Sequence, residues 1–122
     1  SRVIGIEIVE EAVKAANENA AMNELDNCQF IAGDVLQKVD ELSDKPDIIV
    51  IDPPRAGVHP KALSKILDFG SKEMVYVSCN PKTLGENLKQ IQEAGYKVEK
   101  VRCVDMFPHT PHVECVVEIV RT

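Results

Sequence analysis

Apolar residues fall into two alternating patterns along this chain. Short runs rich in β-branched residues predict buried strands, and apolar residues three or four positions apart predict helices that pack one face. The runs that predict strands are Val3–Ile6, Cys28–Ala32, Ile48–Ile51, Met74–Val77, Tyr96–Val104 and Glu114–Val120. Helical spacing fills the four intervals between the first five runs. This alternation predicts a doubly wound α/β fold with a mostly parallel sheet, and the last two runs, which have no helix between them, predict an antiparallel pair.

The turn after the fourth strand carries a cysteine. Asn80 and Pro81 end that strand, and Pro81 suits the first position of the next helix because it has no N–H to leave unpaired. Cys79 therefore lies between the carboxyl end of a strand and a helix N-terminus. Open α/β sheets bind ligands at that edge, and the helix dipole there favours a thiolate. The position leaves a nucleophilic cysteine and a buried, inert cysteine equally open.

Three carboxylates directly follow other predicted strands. For Asp34, helix capping is the favoured interpretation, because Asp often caps helices at such positions. Glu7 fits another role, since an acid that ends a strand of a dinucleotide-type unit can accept both hydroxyls of a ribose. Asp52 precedes two prolines, and this stiff turn favours a carboxylate held against a substrate over a simple rigid loop.

The segment before the last strand contains His109, His112 and Glu114. These residues lack the H-x-x-x-H or H-E-x-x-H spacing of common metal sites, so the sequence predicts no bound metal. A carboxylate that leads into a buried strand can act as a general base. The alternative is that Glu114 only begins a surface strand.

The composition is that of an ordinary globular chain, with 44% hydrophobic and 28% charged residues among 122. The length predicts a single domain. No apolar run approaches the ~20 residues of a membrane span, and because Ser1-Arg2 leads straight into a short apolar strand we expect no signal peptide. The four cysteines show no C-x-x-C spacing, which favours reduced thiols and a cytoplasmic location over a disulfide framework or a zinc site.

The net charge of −6 bears on the partners of the chain. Nucleic-acid-binding proteins usually carry a basic face, and no cluster of Lys and Arg supplies one here. The charge therefore predicts either no nucleic-acid partner or a binding surface that lies largely outside this sequence.

The chain resembles the RNA uracil-5-methyltransferases that use S-adenosyl-L-methionine. The resemblance rests on three segments in the family's order: DPPRAG at Asp52 to Gly57, VYVSCNP at Val75 to Pro81, and DMFPHTPHVE at Asp105 to Glu114. It implies a Rossmann-like class I methyltransferase fold, with residues 1–122 as the C-terminal part of the catalytic domain. It also implies S-adenosyl-L-methionine as the cofactor and RNA, either tRNA or rRNA, as the partner of the full-length protein.

The resemblance implies a role for each residue at a strand end. Enzymes of the family add a cysteine thiolate to carbon 6 of uracil, so that carbon 5 can attack the methyl group, and a base then removes the carbon-5 proton. The roles implied by motif matching are Cys79 as nucleophile, Glu114 as base, Asp52 as the acid near the methyl group and the target base, Glu7 as the ribose-binding acid, Asp34 as the residue beside adenine, and Arg55 as a cation near the pyrimidine oxygens.

The chain departs from the family in two ways. The family's glycine-rich cofactor loop, with the strand before it, is expected ahead of Val3, and an RNA-binding module is expected further upstream; this sequence contains neither. We therefore expect a fragment that is inactive alone and binds S-adenosyl-L-methionine weakly or not at all. In the family's sheet the absent strand is central. We accordingly predict that Val3–Ile6 and Ile48–Ile51 pair directly, or that a second copy covers the exposed edges.

Two other functions stay open. One is methyl transfer by the same fold to an adenine amino group or to cytosine, which does not need Cys79 together with Glu114. The other is a non-catalytic binding module that kept the fold. The choice between tRNA and rRNA, and the presence of an iron–sulfur cluster, depend on parts outside this sequence.

Overall fold

The computed structural model describes all 122 residues, from Ser1 to Thr122. The elements in chain order are β1 (Val3–Glu7), α1 (Glu10–Met22), β2 (Cys28–Ala32), α2 (Val35–Lys38), a 3₁₀ helix (Val39–Glu41), β3 (Ile48–Ile51), α3 (Pro60–Asp68), β4 (Glu73–Ser78), α4 (Pro81–Glu93), β5 (Tyr96–Val104) and β6 (Glu114–Arg121). Every strand and helix predicted from the apolar periodicity is present. None of the helices combines the length and the apolar character needed to cross a membrane.

The chain divides into two compact units, Ser1–Ser43 and Asp44–Thr122. In the first unit β1 and β2 pair in parallel, with Glu7 opposite Ala32. Helix α1 connects these strands and buries Val13 on its inner side. The first unit is therefore a β-α-β crossover followed by the short helix α2.

The second unit contains a four-stranded sheet in the order β3-β4-β6-β5. Strands β3 and β4 are parallel, whereas β6 runs antiparallel to both of its neighbours, β4 and β5. The antiparallel pair predicted for the end of the chain is confirmed. Its second strand lies inside the sheet, because β6 inserts between β4 and β5.

One face of the four-stranded sheet forms the core of the second unit. Successive side chains of a strand point to opposite faces, so every second residue of β4 and β6 lies on this face. The buried apolar residues are Ile51, Met74, Tyr76, Val117 and Ile119 on the strands, and Ala62, Leu63, Ile66, Leu67, Leu84 and Ile91 on α3 and α4. Each large apolar side chain buried in this way stabilises the fold by roughly 1.5–3 kcal/mol.

The prediction that β1 and β3 pair directly is wrong. Strand β1 pairs only with β2, and β3 pairs only with β4. Each strand has one partner, reached through a single helical crossover, and its other edge has no hydrogen-bonded strand. On β3, Ile48 and Val50 are 55% and 68% exposed. Apolar patterning shows that a segment is a strand, but it does not show which edge of the strand is occupied.

Candidate functional site

The turn that presents Cys79 is held by its neighbours. The backbone N–H of Asn80 donates to the Ser78 hydroxyl at 3.1 Å, and that hydroxyl donates to the Asn80 carbonyl at 3.0 Å. The Asn80 side chain caps α4 by accepting from the Lys82 N–H at 3.2 Å. Cys79 itself is half-buried, and its thiol makes no hydrogen bond. The turn is therefore fixed while the sulfur is left available.

Glu114 lies across from this turn. Strands β4 and β6 pair antiparallel with Ser78 opposite Cys115, both buried on the helix-covered face. Cys79 and Glu114 are the next residues of the two segments beyond this last paired position, with Cys79 in the turn after β4 and Glu114 at the start of β6. The two residues that motif matching selected as nucleophile and base therefore directly adjoin the same paired position of two neighbouring strands.

The loop after β3 is fastened to the start of α4. The carbonyl of Arg55 accepts hydrogen bonds from the Asn80 amide and from the Thr83 hydroxyl, both at 3.0 Å. Asp52, at the beginning of this loop, is exposed and makes no hydrogen bond or ion pair. A carboxylate with no protein partner therefore lies directly after β3. The neighbouring strand, β4, ends immediately before Cys79.

A buried amide, Asn87 of α4, holds the far end of the same loop. Its Oδ1 accepts from the Val58 N–H at 2.9 Å and from the Tyr76 hydroxyl at 2.7 Å, and its Nδ2 donates to the Val58 carbonyl at 3.0 Å. Burial raises the pKa of Tyr76 to about 12, so the phenol stays protonated and able to donate near neutral pH. The sequence alone does not single out Asn87. The one signal for it is its position among the buried residues of α4.

Arg55 also connects this loop to the segment before β6. Its Nη1 lies 3.0 Å from Nδ1 of His112. A guanidinium can only donate, so Nδ1 of His112 is the acceptor in this contact. His112 is not part of a metal site in this structure, because no group of three or more His, Cys, Asp or Glu side chains is placed to hold a metal ion. Its contact is instead with the residue proposed to face the pyrimidine oxygens.

The two acids of the first unit lie at the carboxyl ends of a parallel strand pair. Oδ1 of Asp34 accepts from the Leu36 N–H at 2.7 Å, which confirms the capping interpretation. Oε1 of Glu7 accepts from the Val9 N–H at 3.0 Å, in the turn directly before α1. In each case the second carboxylate oxygen has no hydrogen bond within the chain.

Comparison with known proteins decides the family. The sequence model described as tRNA (Uracil-5-)-methyltransferase matches residues 1–122, the whole chain. The chain belongs to this family. The resemblance that rested on the three motifs is therefore confirmed.

Two relatives illustrate how the family covers this chain. A Clostridium tetani protein described as an uncharacterized RNA methyltransferase is 60% identical over 120 residues, which are 98% of this chain and 26% of that protein. The crystal structure of Pyrococcus abyssi tRNA (uracil-54, C5)-methyltransferase in complex with S-adenosyl-L-homocysteine has a TM-score of 0.85 and 35% identity, covering 98% of this chain and 29% of that chain. This member of the tRNA (uracil-5-)-methyltransferase family thus spans about a quarter of the length of its curated relatives.

The fold extends beyond the family. Magnesium protoporphyrin IX methyltransferase from Synechocystis PCC 6803 has a TM-score of 0.77 at 16% identity, covering 100% of this chain and 64% of that chain. Such low identity shows a shared fold alone. The implied Rossmann-like class I methyltransferase fold is confirmed.

Proposed function

We propose that the full-length protein transfers a methyl group from S-adenosyl-L-methionine to carbon 5 of a uridine in RNA. The proposal rests above all on the pairing of β4 with β6, whose last paired residues, Ser78 and Cys115, directly adjoin Cys79 and Glu114. Addition to carbon 6 needs a free thiol, and removal of the carbon-5 proton needs a base nearby. Membership in the tRNA (uracil-5-)-methyltransferase family supports the same reaction.

The carboxylates at the strand ends fit the cofactor in their chemistry. S-adenosyl-L-methionine supplies, when bound, an electrophilic methyl group on a sulfonium sulfur. Ionised carboxylates only accept hydrogen bonds, which suits hydroxyl and amino groups. Glu7 would hold the ribose and Asp34 the adenine amino group, each through the carboxylate oxygen that has no hydrogen bond within the chain. Asp52, with both oxygens open, would serve near the methyl group and the uracil edge.

The chain's own residues carry the steps on the uracil. The Cys79 thiolate forms a bond to carbon 6, and Arg55 offsets the negative charge that this addition places on the pyrimidine oxygens. Carbon 5 then takes the methyl group. Glu114 accepts the carbon-5 proton, the carbon-6 bond to sulfur breaks, and the thiolate leaves as the double bond returns.

The substrate surface is expected outside this chain. A net charge of −6 does not attract a phosphate backbone, whereas the relatives are about four times longer. We infer that the rest of the protein provides the basic surface for tRNA or rRNA. The free thiols are consistent with a reducing, cytoplasmic location.

The isolated chain is expected to bind cofactor poorly and to self-associate. Strands β1 and β3 each have an unpaired edge, which is a template for pairing with another chain. Sedimentation velocity should show dimers or larger species, and titration calorimetry should show no micromolar binding of S-adenosyl-L-methionine. A monomer that binds the cofactor at micromolar concentration would contradict both expectations.

Covalent trapping tests the proposed reaction. With RNA that contains 5-fluorouridine, the full-length protein should form an adduct stable to denaturing gels, because fluorine cannot be removed from carbon 5 as a proton can. Cys79→Ala should abolish the adduct, and the matched control Cys28→Ala, in the other unit, should retain it. With ordinary RNA, Glu114→Gln should accumulate a methylated adduct, since addition and transfer precede the loss of the proton.

Other outcomes of the trapping experiment would favour the alternatives. Methylation of an adenine amino group or of cytosine with no dependence on Glu114 would indicate another reaction of the same fold. RNA modification left unchanged by Cys79→Ala would indicate a binding module in which the cysteine has no catalytic part. Either outcome would overturn the proposal of uracil methylation.

A further inference from the structure

Two cysteines that the proposed reaction does not use face each other across β5 and β6. Cys103 is directly opposite Cys115 in the antiparallel ladder, and their sulfur atoms are 3.3 Å apart as free thiols. Directly opposite residues in such a ladder have Cα atoms about 4.5–5.5 Å apart, inside the 4.4–6.8 Å range that a disulfide spans. The two strands therefore hold this pair at a backbone separation that a disulfide can span, so that movement of the side chains is enough to close the gap between the sulfurs.

The two thiols differ in their access to solvent. Cys103 is exposed, whereas Cys115 is 5% exposed and lies against Ser78 of β4 on its other side. Burial, followed by the contact with Cys103, raises the pKa of Cys115 to about 11. A reagent in solution therefore meets Cys103 first, and Cys115 is reached only through it.

We infer that Cys103 and Cys115 form a reversible modification site that takes a low-molecular-weight disulfide as its oxidant. The Cys103 thiolate attacks one sulfur of that disulfide and releases the first small thiolate, which leaves a mixed disulfide on Cys103. Cys115 then loses its proton to solvent and attacks the Cys103 sulfur, releasing the second small thiolate. The protein pair is oxidised by two electrons and the small disulfide is reduced to two thiols.

The bridge would fasten the ends of the segment 105–113. That segment exposes Met106 and Phe107, carries His112, and leads into Glu114, the neighbour of Cys115. Disulfides in reducing compartments are usually transient and redox-sensing, which suits a pair that is held close but unbonded. The inference does not depend on the proposed methyl transfer, because the exchange uses neither Cys79 nor Glu114.

Peptide mapping tests the inference on the chain as it stands. The reduced, folded chain is incubated with glutathione disulfide, remaining thiols are alkylated, and the product is cut with trypsin. No Lys or Arg interrupts residues 103–121, so both cysteines leave in one peptide, while Cys28 and Cys79 leave in the peptides 15–38 and 73–82. We expect both alkylatable thiols of the peptide 103–121 to be lost without any added glutathione mass, and dithiothreitol to restore all four thiols of the chain.

Single substitutions test the order of the two steps. Cys115→Ser should accumulate a stable glutathione adduct on Cys103, whereas Cys103→Ser, a change at an exposed position, should leave Cys115 unmodified. The matched control Cys28→Ser should form the bridge as the parent chain does. A bridge to Cys79 or between chains, or a peptide 103–121 that stays alkylated at both positions, would overturn the inference.

Discussion

The amide of Asn87 offers the sharpest test of how the proposed site is held. It is 7% exposed and makes three hydrogen bonds, one to the fully buried Tyr76 hydroxyl and two to the backbone of Val58. Asn87→Leu removes all three hydrogen bonds at once. Leu also has a higher helix propensity than Asn, so any destabilisation comes from the lost hydrogen bonds.

The size of the expected loss in stability depends on whether each group left without a hydrogen-bond partner can reach water. The Val58 groups are half-buried and can reach water, so we expect each lost bond to cost about 0.5–1 kcal/mol. The Tyr76 hydroxyl has no access to water, and leaving it unsatisfied costs about 1–3 kcal/mol. Asn87→Leu should therefore lower the free energy of unfolding by about 3 kcal/mol in total, within a range of about 2–5 kcal/mol.

A double-mutant cycle separates the hydroxyl from the loop contacts. Tyr76→Phe alone should cost about 1 kcal/mol, because one bond is lost while Asn87 keeps its bonds to Val58. In the Tyr76→Phe background, Asn87→Leu no longer strands a buried hydroxyl, so its cost should fall by about 1–3 kcal/mol.

Urea unfolding followed by tyrosine fluorescence provides the measurement. The chain has no Trp and two Tyr, Tyr76 and Tyr96, both in the unit Asp44–Thr122, so the signal reports that unit alone. Tyr96 remains as the reporter in the variants that carry Tyr76→Phe. Gln92→Leu, an exposed change on the same helix, should stay within about 0.5 kcal/mol of the parent. Additive costs in the cycle would show that Asn87 does not hold the Tyr76 hydroxyl and would refute the argument.

Three further predictions use the same unfolding assay. Burial raises the pKa of Tyr76 to about 12 from 10.0, so the unfolded chain loses this proton at a lower pH than the folded chain does. The stability present below pH 10 should therefore fall by up to about 3 kcal/mol as the pH rises to 12. Tyr76→Phe should flatten that fall. Gly57→Ala should cost at least about 1 kcal/mol, because Gly57 has a φ of +74° and a Cβ added there would lie 2.7 Å from Oδ1 of Asn87. Gly85→Ala, inside α4 with open space around its Cβ, should instead stabilise by about 0.5–1 kcal/mol. Equal effects of the two changes would contradict this expectation. Asn80→Ala should lower the free energy of unfolding by about 1–2 kcal/mol. Asn80→Asp should recover about half of that loss, because Asp restores the helix cap but not the hydrogen bond that the amide donates to the Arg55 carbonyl. No recovery would show that the cap contributes nothing.

The sequence by itself determined the parts of this protein that depend on local spacing. Strand and helix periodicities repeat within a few residues, so every element from β1 to β6 could be located, along with the antiparallel end of the chain. The capping role of Asp34 was also local, because a cap and the N–H that it accepts from are two residues apart. The motifs, being short and in a fixed order, were enough to indicate the family.

Only the tertiary structure decided which distant residues meet. The placement of Cys79 and Glu114 beside the same paired position depends on β6 inserting next to β4 in the observed register. Asn87 and His112 gain their contacts from a loop about thirty or more residues away, and Cys103 meets Cys115 through the ladder of β5 and β6. Pairing across such separations reflects the whole packed sheet, and no local period in the chain records it.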